Sequence, residues 1–584
     1  MDTLTKNTVL TVKDLSVSFR QNKTWREVTH KVNFSINKGE ILALVGESGS
    51  GKSVSSLAVM NLLDRKIEAI TSGEIIFNGK HKAMIFQEPM TALNPVKKCG
   101  HQVDEMLLLN TGMTNKQAKQ KTLQLFKEVL LPDTERVYNS YPHELSGGQR
   151  QRVMIAMALG IEPELLIADE PTTALDVTVQ KAVLELLKSL QQKHNMAVLF
   201  ISHDLGVVHH IADRIAVIYK GKIVETGTSN DIFNNPQHIY TKSLIASRPP
   251  LDYKPERLKT ISDFMQSGDV SDFENGVSAV QENVSIIQES VSATEKGVSG
   301  IEKDVSKTKT DESDKQHDVL DTESSVPLLQ VKNLEVDYVI KRNLLGKISK
   351  RFHAINGVSF EVNKGETLGI VGESGCGKTT VGRAITRLIN ISSGSIIFEG
   401  KSLDTLSKTE KHQLRKEIQI IFQDPYSSLN PRKTVGNAVE EPMEVFGLYN
   451  SSKRREKAAE LLYKTGLGEE FFTRYPHELS GGQRQRVGIA RALALNPKLI
   501  ICDESVAALD VSVQAQVLNL LNDLKRDFGF TYLFISHDLS VVKYMSDRII
   551  VMQKGKIVEQ GESEQIYKHP KEEYTKKLID SVMM

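Results

Sequence analysis

Apolar residues in this chain gather in short unbroken runs rather than in alternation. Residues 41–45, ILALV, run into a glycine-rich loop and then into the helix-forming stretch KSVSSLAVM. Residues 165–168, LLIA, end on Asp169-Glu170, and residues 499–502, LIIC, end on Asp503-Glu504. Residues 198–201, VLFI, and 532–535, YLFI, each run into Ser-His-Asp. A short continuous apolar run is how a strand buried on both faces reads, the situation inside a parallel sheet. Strands of this kind alternating with helical stretches predict an α/β fold with a mostly parallel sheet.

The pattern is written twice. GESGSGKS at Gly46 returns as GESGCGKT at Gly372, IFQEP as IFQDP, YPHELSGGQRQRV at Tyr141 again at Tyr475, and FISHDL at Phe200 again at Phe534. Ser146 and Ser480, Glu170 and Glu504, and His203 and His537 are all 334 residues apart, so the back halves align without gaps. The front halves do not: Gly79 to Gln87 is 8 residues, whereas Gly400 to Gln423 is 23. The first copy lacks about one helix-sized segment there. The repeat predicts two tandem domains, 1–252 and 328–584, with a linker over 253–327.

Composition changes this picture little. Lys+Arg 74 against Asp+Glu 73 leaves a formal charge of +1, with no bulk pull toward nucleic acid. The three cysteines, Cys99, Cys376 and Cys502, are too scattered for a disulfide framework or a structural zinc site. The N-terminus does not read as a signal peptide, and no run of about 18 apolar residues is present to span a bilayer.

The chemistry sits at the ends of the apolar runs. GxxxxGK[ST] occurs twice between strand and helix, where loop amides at a helix N-terminus cradle phosphates. The residues are Gly46, Glu47, Ser48, Gly49, Ser50, Gly51, Lys52 and Ser53, then Gly372, Glu373, Ser374, Gly375, Cys376, Gly377, Lys378 and Thr379. Lys52 and Lys378 are expected at the β/γ-phosphates, and Ser53 and Thr379 at Mg²⁺. Asp169 and Asp503 end their strands where a metal carboxylate belongs, and Glu170 and Glu504 follow where a base polarising water belongs. Two adjacent acids at a strand end also suit a solvated turn; the phosphate loops favour catalysis. Cys376, inside the second loop, suits either a reactive thiol near a helix N-terminus or simply a small side chain. Ser146, Gly147, Gly148 and Gln149, repeated as Ser480, Gly481, Gly482 and Gln483, begin helical stretches, and Ser and Gly there expose amides to an anion.

With LSGGQ on the page, the chain resembles the ATP-binding cassette family. Phosphate loop, Q-loop, LSGGQ signature, Walker B strand, D-loop and switch histidine follow in order in both copies. The resemblance implies a head-to-tail arrangement in which the loop at Lys52 faces the signature at Ser480 and the loop at Lys378 faces that at Ser146, with ATP between them. It implies that Gln87 and Gln423 touch Mg²⁺ and, with the segments 88–96 and 424–434, relay to a membrane partner. It implies that His203 and His537 contact the γ-phosphate, and that Asp176 and Asp510 lie in D-loops. Phe19 and Tyr338 are candidates to stack on adenine, or core aromatics. Finer wording, MIFQEPMTALNP and IFQDPYSSLNPR, is similar to importer ATPases of the dipeptide, oligopeptide and nickel group, including fused glutathione importers. That implies two transmembrane permeases and an extracellular solute-binding protein as partners, a place on the cytoplasmic membrane face, and no nucleic acid. The group's tail motif around HPYT survives only as Ile239-Tyr240-Thr241 and Tyr574-Thr575, and no cysteine follows either copy to hold an iron–sulfur cluster. The alternative is a tandem-cassette ATPase acting on the ribosome, disfavoured by the Ser-, Val-, Glu- and Asp-rich linker.

Within that linker, Val recurs at 270, 277, 284, 291, 298 and 305, with Phe273, Val280, Ile287, Thr294, Ile301 and Thr308 three residues on. This is an a/d heptad pattern. Gly276, Gly297 and Gly300 each cost a helix about 1 kcal/mol, so a weak amphipathic helix that orders on self-association competes with a plain tether. Circular dichroism of the segment across a concentration series separates them. Helicity rising with concentration is expected for the seam; a coil spectrum at every concentration reduces the segment to a spacer.

Overall fold

A computed structural model describes residues 7–21, 24–63, 69–87, 92–172, 175–251, 253–261, 263–264, 326–342, 348–507 and 509–582. The heptad segment, the start of the first Q-loop segment at 88–91, and Ala508 lie outside the described residues.

In the first half, β1 (Thr8–Gln21), β2 (Thr24–Asn37) and β4 (Ala69–Phe77) form an antiparallel sheet in the order β2-β1-β4. The second sheet takes β3 (Ile41–Val45), β5 (Lys82–Ile85), β6 (Leu165–Asp169), β7 (Ala197–Ser202), β8 (Arg214–Tyr219) and β9 (Lys222–Thr228) in the order β5-β6-β7-β3-β8-β9. The pairs from β5 to β8 are parallel, and only β9 runs antiparallel, as a hairpin partner of β8. Every residue of β3, β6 and β7 is buried, as the unbroken apolar runs predict.

The second half repeats this. β10 (Leu329–Arg342), β11 (Ile348–Val362), β13 (Ser393–Phe398) and β14 (Lys401–Ser402) make one sheet. β12 (Thr367–Val371), β15 (Ile418–Ile421), β16 (Leu499–Asp503), β17 (Thr531–Ile535), β18 (Arg548–Gln553) and β19 (Lys556–Glu562) make the other, in the order β15-β16-β17-β12-β18-β19. The segment missing from the first copy is β14 and the helix Lys408–Glu417, which lead into β15. In the first half the chain passes from β4 to β5 without them, yet β5 pairs with β6 as β15 pairs with β16. The deletion therefore spares the strand that carries Gln87.

A hairpin in each half braces the phosphate loop. The hairpin turn between β8 and β9 has Lys220 and Gly221 at φ 46° and 79°, the positive pair a two-residue hairpin needs. Its Gly221 amide donates to Ser50 O at 3.1 Å, and Gly555 donates likewise to Cys376 O at 2.9 Å. In the first half the helices Cys99–Thr111 and Asn115–Glu128 share one core with the sheet, whereas in the second half the corresponding helices form a core of their own.

The halves are also joined behind the first domain. Lys254, Arg257 and Leu258, at the start of the segment assigned to the linker, lie against the second half, while Ile261 packs against the first-half core. Leu258 is 2% exposed within the second half's core. Its amide donates to Asn519 Oδ1 at 3.0 Å, and Asn519 Nδ2 donates back to the Leu258 carbonyl at 2.8 Å. Arg257 pairs with Asp523 at 2.9 Å, Lys254 donates to the Ser546 carbonyl, and the buried Lys543 donates to the Leu251 carbonyl. A side chain so enclosed is expected to carry core-like weight. Leu258→Ala should destabilise the protein by about 2–4 kcal/mol, read as a lower midpoint in denaturant unfolding. An unchanged midpoint would mean that the strap is not seated in solution.

Candidate functional site

The site begins where β3 and β12 stop. At Gly46 an added Cβ would lie 2.2 Å from the Ile218 carbonyl oxygen, so the turn admits only glycine. Gly51 and Gly377, at φ 101° and 110°, cap the helices Lys52–Val59 and Lys378–Ile385 in a conformation that side chains avoid. Lys52 is 5% exposed and Lys378 4%. Lys52 Nζ donates to the carbonyls of Gly46 at 2.7 Å and Glu47 at 2.9 Å; Lys378 Nζ does the same to Gly372 at 2.7 Å and Glu373 at 3.0 Å. Burial pushes the Lys52 ammonium below its ordinary range, against the opposing charges of Glu170, Asp510, Asp169 and Glu47. Cys376 is buried, which pushes its thiol up, against the lowering effect of Lys378.

The acids arrive on β6 and β16. Asp169 Oδ1 accepts from Ser53 Oγ at 3.1 Å and Asp503 Oδ1 from Thr379 Oγ1 at 2.9 Å. Burial raises both carboxyls, Asp169 to about 6, despite the hydroxyl bonds that favour the ionised form. Such a buried oxygen pair is suited to a divalent cation that takes its other oxygens from phosphate and water. The chain then turns sharply. Glu170 and Glu504 stand at φ 47° and 48°, and their amides donate to Ile201 O and Ile535 O, each at 2.9 Å. The left-handed conformation costs a non-glycine residue roughly 1 kcal/mol, and here it is held by the neighbouring strands.

In that conformation each glutamate joins two other predicted residues. Gln87 Nε2 donates to Glu170 Oε2 at 2.9 Å and Gln423 Nε2 to Glu504 Oε2 at 2.7 Å. His203 Nδ1 lies 3.0 Å from Glu170 Oε1, and His537 Nδ1 3.5 Å from Glu504 Oε2. Burial alone would lower both imidazoles, but the hydrogen bond and charge of the glutamate outweigh it and raise them. Burial likewise opposes ionisation of Glu504, and His537 overcomes it, leaving the carboxyl below its ordinary value.

The D-loops bring the two halves together. Asp510 Oδ1 accepts from both the amide and the hydroxyl of Ser48 at 2.9 Å, and Ser512 Oγ donates to Glu47 Oε1. On the other side Thr178 Oγ1 donates to Glu373 Oε1 at 3.0 Å, while Asp176 caps its own helix through Val179 N at 3.0 Å. The cleft between the halves is lined by His203 and His537 together. Ser146 and Ser480 are exposed and cap their helices in capping boxes with Gln149 and Gln483, ahead of Gly147-Gly148 and Gly481-Gly482. Among the described residues, the hydrogen bonds from each phosphate loop to the opposite half come from the D-loop region, not the signature. Phe19 is half-buried and packs against the core of its half, whereas Tyr338 is 41% exposed on β10.

Sequence reasoning missed one pair. The hydroxyls of Tyr240 and Tyr574 accept from the amides of Glu47 at 3.0 Å and Glu373 at 3.3 Å. The Tyr-Thr dipeptide in each tail was the available signal, but nothing in it points back to a loop some 190 residues away.

The pairing of His203 with Glu170 makes stability depend on pH. A group whose folded pKa exceeds the unfolded one contributes stability below about pH 6.5, and loses it as pH rises through the folded value. Imidazole NMR titration of the full chain should place His203 above about 6.5 and move it down in Glu170→Gln. An unmoved midpoint would break the pairing.

A family model described as ABC transporter matches residues 29–173 and 355–507, and one described as oligopeptide/dipeptide transporter, C-terminal region, matches 224–275 and 558–584. The chain is 44% identical to the glutathione import ATP-binding protein GsiA of Escherichia coli (strain K12), covering 100% of this chain and 90% of that protein. It is 43% identical to GsiA of Shigella flexneri over the same shares. Among solved structures, a dimeric post-hydrolysis state of the ATP-binding cassette MJ0796 bound to ADP and Pi aligns at 31% identity over 40% of this chain and 98% of its own, with a TM-score of 0.37. With its order of motifs, its paired glutamates and relatives matched along its whole length, the chain belongs to the ABC transporter family, as a tandem of two cassettes each followed by an oligopeptide/dipeptide-type C-terminal region.

Proposed function

We propose that the chain is the ATP-hydrolysing subunit of an importer for glutathione, di- or oligopeptides or a related small solute. The observation that carries this reading is the repeated triad of Gln, Glu and His beside a buried phosphate-loop lysine, in a chain 44% identical to a glutathione import ATP-binding protein. Residues 1–252 and 328–584 act as the two ATP-binding domains and 253–327 as their connection. No helix among the described residues is long and apolar enough to cross a membrane. By its likeness to a glutathione import ATP-binding protein, the chain in this reading works at the cytoplasmic face through two transmembrane permeases, supplied by an extracellular solute-binding protein.

In this reading the loops 46–53 and 372–379 cradle the ATP phosphates, and Lys52 and Lys378 exchange loop carbonyls for phosphate oxygens. Tyr338 offers an exposed ring to adenine, and Phe19 a partly covered one. Ser53 with Asp169 and Thr379 with Asp503, with Gln87 and Gln423 nearby, are the groups that would hold Mg²⁺, which supplies charge neutralisation at the β/γ-phosphates. Glu170 and Glu504 orient and polarise the attacking water. Gln and His hold each carboxylate in place, and His203 and His537 meet the γ-phosphate. Ser480 with Gly481 and Gly482, and Ser146 with Gly147 and Gly148, close each site from the opposite half, so both halves are needed for turnover. Covalent fusion keeps the second half at high effective concentration.

Steady-state ATPase, nucleotide retention and labelled-glutathione and dipeptide uptake, measured for Glu170→Gln and Glu504→Gln, test the reading. Removal of a water-polarising carboxylate is expected to cut turnover at its site by about 10²-fold or more while ATP stays bound, and uptake should fail. If either change leaves turnover untouched, the two-site assignment is wrong; intact uptake in a strain lacking the protein removes the importer role.

A further inference from the structure

The helices Ile239–Ala246 and Glu573–Asp580 lie behind the two cassettes, in the C-terminal regions. Each sends one tyrosine to a phosphate loop. Tyr240 is fully buried, and its ring lies 4.2 Å from that of Tyr219, so its hydroxyl has a fixed position. That hydroxyl accepts from the Glu47 amide; Tyr574, 334 residues on, accepts from the Glu373 amide.

Glu47 and Glu373 are junctions. The amide of each is held by its own tail, and the carbonyl of each accepts from the phosphate-loop lysine. The side chain of Glu47 accepts from Ser512, and that of Glu373 from Thr178, both in the opposite half. Removing the tyrosine hydroxyl leaves a loop amide without its partner and frees the peptide plane that this amide shares with the Gly46 or Gly372 carbonyl, which accepts from the lysine. Burial, with the added charge of Glu47, holds the Tyr240 phenol above its ordinary range, so the hydroxyl stays neutral.

We propose that Tyr240 and Tyr574 are positioning residues of the two ATP sites. They set the orientation of the Gly46–Glu47 and Gly372–Glu373 peptides, so that the loop amides and the lysine meet the phosphates without rearrangement. The C-terminal region is in this way a working part of the nucleotide site. The inference rests on the reading of the two loops as ATP sites.

The test is steady-state ATPase of the full chain with Tyr240→Phe and Tyr574→Phe combined, which removes two hydroxyls and keeps both rings. Losing one neutral hydrogen bond per site should raise KM for ATP by about 3- to 10-fold, with kcat unchanged, the pattern of lost ground-state binding. Tyr449→Phe, at an exposed tyrosine, should leave both constants unchanged. An unshifted KM overturns the inference, and so does a fall in kcat alone, which would mark general loss of folded protein. Wild-type turnover separates this from the parent reading. Without it, the ATP-site assignment fails and the inference with it; with it, an unshifted KM sinks only the tyrosines.

Discussion

A buried ammonium must be surrounded by oxygens, because taking an unpaired charge out of water costs several kcal/mol. Lys52 and Lys378, both nearly enclosed, meet that demand with two loop carbonyls each and, around Lys52, with carboxylates drawn from three places. Glu47 comes from the loop itself, Asp169 and Glu170 from the end of β6, and Asp510 from the other half of the chain. The positive charge thus specifies where the strands must end and which surface of the partner half must approach. A phosphate chain can take over the role of the carbonyls, so the same requirement that shapes the loop suits it to the nucleotide proposed for it.

The glutamates show how backbone and side-chain geometry combine. A strand that simply continued would carry Glu170 and Glu504 onto the face opposite Asp169 and Asp503. The left-handed turn, held by amide bonds to β7 and β17, places each carboxylate between Gln and His instead. The strain is local and repeated in both halves, at positions followed by different residues, Pro171 and Ser505. The surrounding strands, rather than the following residue, therefore impose it.

Most of the fold was legible because its signals are local: unbroken apolar runs for β3, β6 and β7, glycines at the loops, and an exact doubling of motifs. The approach of Gln87 and His203 to Glu170 was reachable only through motif resemblance, since these residues are 83 and 33 positions from the glutamate. Other contacts left no trace in pattern or spacing. Tyr240 looked like a remnant of a tail motif because its partner is a backbone amide, which has no residue identity to read. The seat of Leu258 was hidden for a related reason. One leucine among Pro255, Lys254, Arg257 and Lys259 carries no periodicity, and Asn519 reads as an ordinary polar position on a helix.

That seat bears on how the protein is made. Leu258 leaves the ribosome 261 residues before Asn519, an interval of roughly 10 to 50 s at ordinary synthesis rates. Throughout it the leucine waits uncovered, flanked by cations that discourage association with other chains. The order of birth also decides what can be cut apart. A fragment opening at the apparent start of the second cassette would be born with an open slot beside Asn519 and Tyr544, while its neighbour carried a loose apolar peg. The seam that keeps peg and slot in one piece therefore falls ahead of Leu251, not at the apparent start of the second cassette.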